Sequence, residues 1–142
     1  MAGHVAHAEI TVAATPERVW RALTDPALIK EWMVGTEVET DWGVGSPITW
    51  HGELGGKTYR DRGKILVYEE PRKLSMTHYS PLMGLPDEPD SYHTVTYDIE
   101  SLDQRTTVTL TQDGNDTPEQ AEQFSANWQS MLDALASTVE HR

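Results

Sequence analysis

The chain contains no cysteine. Disulfides, a thiolate nucleophile and cysteine-ligated zinc are therefore excluded from its chemistry. Positive charge is scarce: 11 Lys and Arg stand against 23 Asp and Glu, a formal net charge of −12 with His neutral. That balance opposes nucleic-acid phosphates and anionic membrane surfaces, so neither is an expected partner. No run approaches the roughly 18 apolar residues that a membrane-spanning helix needs. The start, Met1-Ala2-Gly3-His4, lacks the basic-then-apolar pattern of a secretory leader. The expectation is a soluble, cytoplasmic protein without membrane insertion.

Metal and phosphate motifs are missing too. His4 and His7 fall on opposite faces of a strand, and no histidine pair shares a helical face at four-residue separation. His78 and His93 could meet across a hairpin, yet no third ligand accompanies them. Gly43-Val44-Gly45 lacks the following helix that would receive a phosphate, and no serine sits in a nucleophile elbow. Neither a metal nor a cofactor is expected. Arg60-Asp61-Arg62 and Glu69-Glu70 read as solvated charges on a strand and its turn.

What is present is a helical elbow. Thr15 and Asp25 are each followed by proline, Pro16 and Pro26. A side-chain oxygen at the cap satisfies first-turn N–H groups, and proline at the first helical position gives up a donor that would be unpaired anyway. Apolar residues follow at helical spacing: Val19, Trp20 and Leu23, then Leu28, Ile29, Trp32 and Met33, with Gly35 as a stop. An alternating strand, Val5 to Val12, precedes the pair. Six strands follow, over 37–40, 48–54, 58–69, 74–80, 92–102 and 106–112, with Gly55-Gly56 and Asp103-Gln104 as tight turns. Gly63 marks a bulge or bend within the third of these. Thr117-Pro118-Glu119-Gln120 repeats the cap-then-proline device with Gln120 at the capping-box position. It opens a long helix with the stripe Ala121, Phe124, Trp128, Met131, Leu132, Leu135 and Val139.

Consecutive strands with short turns make an antiparallel meander, and only its concave face is large enough to bury that stripe. The expected class is α+β: a curved antiparallel sheet of about seven strands, two short helices after strand 1, and a long C-terminal helix across the concave face. With no repeat or linker, residues 1–142 are expected to form a single domain.

These segments resemble the SRPBCC superfamily (START-like, helix-grip), and within it the activator-of-Hsp90-ATPase homologue-like group. The resemblance rests on the opening strand, Thr15-Pro16-Glu17-Arg18-Val19-Trp20, Leu23-Thr24-Asp25-Pro26, Trp32 and Gly63. Glu70-Pro71-Arg72-Lys73-Leu74 and Asn127-Trp128 with Leu132 and Leu135 complete it. It implies a deep cavity between sheet and last helix, holding lipids, polyketides or other hydrophobic molecules, with aromatase or cyclase activity in some members.

Alternate connections of a meander fall at one end. Val34-Gly35-Thr36, Gly55-Gly56, the 81–90 loop and 113–117 therefore gather at the expected mouth. The loop carries Leu82, Met83 and Leu85, suited either to a lid or to an ordinary surface loop tucked on the rim. Strand parity sends Met76, His78, His93 and Tyr97 inward. Met33, Trp50 and Met83 join them, with Phe124, Trp128 and Met131 as the opposing wall. His78, His93 and Tyr97 are the candidate acid–base residues. The other reading places each at a strand end, bonded to backbone or water. Binding of a small hydrophobic or aromatic ligand is the leading expectation. Alternatives are a polyketide aromatase/cyclase-type enzyme using His78, His93 or Tyr97, and a chaperone-linked stress-response module using the acidic surface, with homo-oligomer contacts left open.

Overall fold

A computed structural model describes residues 4–81 and 84–141. Seven strands, β1 (His4–Val12), β2 (Glu37–Glu39), β3 (Pro47–Leu54), β4 (Lys57–Glu69), β5 (Lys73–His78), β6 (His93–Leu102) and β7 (Arg105–Asn115), form one antiparallel sheet. Their order is β1-β7-β6-β5-β4-β3-β2, a meander closed by the first strand pairing with the last. Helices α1 (Pro16–Thr24) and α2 (Pro26–Trp32) follow β1, and α3 (Pro118–Glu140) ends the fold. This is the expected α+β helix-grip architecture.

The caps behave as their chemistry requires. Thr15 Oγ1 accepts from the Arg18 N–H, and Thr117 Oγ1 from the Gln120 N–H at 3.0 Å. Asp25 serves both helices of the elbow. Its backbone N–H donates to the Arg21 carbonyl to close α1, while its carboxylate accepts from the Ala27 N–H at 2.9 Å to open α2. Such caps contribute about 1 kcal/mol each. The Trp32 indole N–H donates to the Ala22 carbonyl at 2.8 Å and fixes the angle between α1 and α2. Gln120 departs from the capping box: its side chain accepts from Asp116, one residue before the cap.

β1 is an edge strand, and α3 covers its open side. Ser125 Oγ accepts from the His7 N–H at 2.8 Å. The Gln129 amide accepts from the Glu9 N–H and donates to the Glu9 carbonyl, and Glu140 accepts from the Ala13 N–H. An edge that would otherwise template association is thereby paired. The apolar face of α3 divides along its length. Leu132, Leu135, Ala136 and Val139 are buried against Val12, Val19, Val108 and Leu110, whereas Phe124, Trp128 and Met131 are only half-buried. The C-terminal half seals the core and the N-terminal half stands over a space.

Gly63 shapes that space. β4 pairs with β3 as far as Lys64 and with β5 from Ile65 onward, with a register shift between Ile65 and Val67. A Cβ on Gly63 would lie 1.7 Å from the Thr77 carbonyl oxygen, so only glycine lets the two backbones meet there. The neighbouring Lys64 N–H donates to the Thr77 side-chain hydroxyl at 2.9 Å.

Gly63→Ala should cost about 2 kcal/mol or more in urea unfolding, because backbone and not a pliable side chain must give way. A loss under about 0.5 kcal/mol, the range of neutral surface changes, would contradict this role.

Candidate functional site

Between the sheet and the N-terminal half of α3 lies a cavity of about 470 Å³. Its exposed rim includes Val34, Glu53 and Gly55, so the mouth is at the end where the α2–β2 link and the β3–β4 hairpin gather. Met76, Val95 and Tyr97 line its sheet wall and are each at least nine-tenths buried. Trp128 and Met131 form the helical wall, and Met33 and Trp50 the side nearest α2. Mixed methionine and aromatic surface suits a ligand-sized apolar site.

The polar groups are few and placed. On β4, Tyr59 and Asp61 share the inner face with Gly63 and Ile65, because side chains alternate along a strand. Asp61 Oδ2 accepts from His78 Nε2 at 2.8 Å, and the pair is mostly buried, with side-chain exposures of 15% and 28%. The Trp50 ring stands edge-on to the imidazole at 5.1 Å. Asp61 Oδ1 is buried without a hydrogen-bond partner among the described residues. The expectation of three solvated charges at Arg60-Asp61-Arg62 is thus corrected: Arg60 and Arg62 point to solvent, while Asp61 faces the cavity.

A second polar chain closes the mouth. Thr36 donates its single hydroxyl proton to the Met33 carbonyl at 2.8 Å. The 2.5 Å contact between Thr36 Oγ1 and the Tyr59 hydroxyl is therefore a bond in which Tyr59 donates. Gly52, cross-strand from Tyr59, leaves room for that ring; a Cβ there would lie 2.8 Å from its hydroxyl oxygen. On the far wall, the Trp128 indole N–H donates to the buried Gln112 amide, and Tyr97 meets Trp128 edge-on at 6.5 Å.

His93 and Phe124 are not among the cavity-lining residues. His93 pairs with His78 in register and lies on the inner face, but α3 begins over it. The His93 ring lies 6.0 Å from Phe124, and its Nδ1–H donates to the Asp113 carbonyl at 2.7 Å. Met83, with Leu82, lies outside the described residues. Leu85 is exposed, and its carbonyl accepts from Tyr79, whose ring stacks on Tyr92 at 5.1 Å. Sequence reasoning missed Thr36, Tyr59 and Asp61; strand parity counted back from Ile65 would have found the last two. No group of three or more candidate metal ligands is found among the described residues. No described helix is long and apolar enough to cross a membrane.

The family of activator of Hsp90 ATPase homolog 1-like proteins matches residues 13–140. This chain belongs to that family. The solution structure of ChR145 from Cytophaga hutchinsonii is similar at 41% identity and TM-score 0.86, covering 99% of this chain and 97% of that one. The Aha1 dimer structure from Colwellia psychrerythraea is 19% identical at TM-score 0.71, covering 96% of each chain. DynU16, a putative protein in the dynemicin biosynthetic locus, is 20% identical at TM-score 0.76, covering 96% of this chain and 47% of its own. The last two share the fold. No curated protein matches this sequence. As an activator of Hsp90 ATPase homolog 1-like domain, the chain has the helix-grip scaffold on which the cavity is built.

Burial raises the Tyr97 hydroxyl well above its ordinary pKa of about 10. Below pH 10 both folded and unfolded states keep the proton. Above it the unfolded chain loses the proton first, so stability falls as pH rises, by up to about 1.4 kcal/mol per pH unit for one such group. Tyr92, raised chiefly by its hydrogen bond to Asp87, adds to the same decline. Tyr97→Phe should therefore flatten the alkaline limb of stability against pH without abolishing it. An unchanged limb would show that Tyr97 is not held protonated by burial.

Proposed function

We propose that this chain binds a hydrophobic or aromatic small molecule, lipid or polyketide-like, between the sheet and the N-terminal half of α3. The observation that carries the reading is the 470 Å³ cavity itself. It persists although Trp50, Tyr97 and Trp128 all border it, the residues best able to fill it. Its volume lies in the range of ordinary small-molecule sites, and its methionines can adapt to an irregular guest. In this reading Met33, Trp50, Met76, Trp128 and Met131 contact the ligand's apolar body, and His78 and Tyr97 orient it. Phe124 packs on His93 and seats the start of α3 on the sheet.

Prodan, a neutral naphthalene dye with no hydrogen-bond donor of its own, should bind with a blue-shifted emission. Met131→Trp, which fills the space from the helical wall, should weaken that binding about tenfold or more while leaving thermal stability equal or higher. Equal binding by both proteins, or no binding by either, would contradict the reading.

A second reading, an aromatase/cyclase-type enzyme, is favoured by the His78–Asp61 contact, since a carboxylate-held imidazole can act as a general base. DynU16, from a biosynthetic locus, shares the fold and so fits this reading. On this reading His78→Ala abolishes turnover of a bound polyketone and leaves its binding measurable; equal loss of both would mark His78 as a binding contact alone. Chaperone or homo-oligomer contacts draw support only from the family's description and from the dimeric Colwellia structure.

A further inference from the structure

The polar groups around His78 in the cavity wall are acceptors, while the Tyr97 hydroxyl, the Trp50 indole N–H and the Ser80 hydroxyl line the cavity elsewhere. Asp61 is a carboxylate with one oxygen on His78 Nε2 and the other without a donor. A carboxylate accepts only, so the proton of that bond sits on Nε2, and in the neutral form of the ring Nδ1 is a bare lone pair. The His78 side chain is 28% exposed and lines the cavity, and its Nδ1 makes no hydrogen bond to a described residue. The Tyr59 proton is committed to Thr36 and that of Thr36 to Met33, so the Tyr59 oxygen also faces inward as an acceptor. The Trp128 proton is committed to Gln112. Charge points the same way: the lining carries the carboxylates of Glu53 and Asp61, and no lysine or arginine among the described residues. Placed at His78, a carboxylate ligand would meet the negative charge of Asp61 and the lone pairs of Nδ1 and the Tyr59 oxygen, and desolvating an anion against them is costly.

Resting on the reading that this cavity holds a small molecule, we propose that its ligand is a neutral aromatic or enolised ring bearing a hydroxyl. That hydroxyl donates to His78 Nδ1, with Asp61 as the positioning residue that fixes the tautomer. A weakly acidic O–H matches a neutral imidazole acceptor, and the Trp50 ring edge-on to His78 provides a wall for the aromatic body. The specificity is for phenols and enols over carboxylates such as fatty acids.

The test is displacement of prodan by three molecules of nearly the same shape: 2-naphthol, 2-methoxynaphthalene and 2-naphthoate. 2-Naphthol should displace the dye about tenfold more effectively than 2-methoxynaphthalene, the difference of one well-placed hydrogen bond, with 2-naphthoate weakest. His78→Phe should bring 2-naphthol down to the level of 2-methoxynaphthalene while leaving the latter unchanged, which also reports an intact fold. If that variant loses 2-methoxynaphthalene as well, the wild-type ratios alone decide. Equal affinity of 2-naphthol and 2-methoxynaphthalene, or preference for 2-naphthoate, overturns the proposal and leaves prodan binding standing. Failure of prodan itself to bind overturns the cavity reading and this proposal with it.

Discussion

The close approach of Gly63 to the Thr77 carbonyl is the contact on which the site depends. β4 is long: it pairs with β3 along its first part and with β5 from Ile65, and Arg62 exchanges two backbone bonds with Tyr79 just before Gly63. Between the Arg62–Tyr79 bridge and Ile65, the absent Cβ lets backbone rest on backbone. Two residues before Gly63 stands Asp61, and one after Thr77 stands His78. The pinch therefore brings a carboxylate and an imidazole from separate strands to 2.8 Å. A side chain at residue 63 would push β4 from β5 and open the pair that gives the cavity its polar anchor.

The cavity owes its existence to the unequal division of α3. Burying a leucine or valine side chain stabilises by about 1.5–3 kcal/mol, and the buried C-terminal half gathers several such residues against β1, β7 and α1. That end is further held by Arg18, which donates to the Val139 carbonyl at 2.6 Å. With the seal made there, the N-terminal half need not be packed tightly. It is suspended instead by polar bonds, Ser125 and Gln129 to the edge of β1 and Trp128 to Gln112. These bonds fix the helix at a distance from the sheet and leave the space beneath it open.

Much of this was legible in the sequence because it is local. Cap-then-proline pairs announced α1, α2 and α3, and alternation announced the strands. Parity put Trp50, Met76 and Tyr97 on the face that borders the cavity. What escaped was set by contacts remote in sequence. Asp61 was hidden between two arginines, and its inward side shows only when parity is carried past Gly63. His93 has the inner-face parity of its strand, but where α3 begins to cover that face is not written in β6. Gln120 bonds Asp116 instead of Thr117, a shift of one residue that the capping-box spacing does not reveal.

The central claim is that Asp61 holds His78 with its proton on Nε2 and a free Nδ1 facing the cavity. Long-range proton–nitrogen NMR of the histidine side chains tests it most directly. On the neutral ring, His78 Nδ1 should resonate as a pyridine-type nitrogen, and it should move when 2-naphthol is added but not with 2-methoxynaphthalene. A protonated Nδ1 on the neutral ring, or a nitrogen indifferent to both molecules, would contradict it.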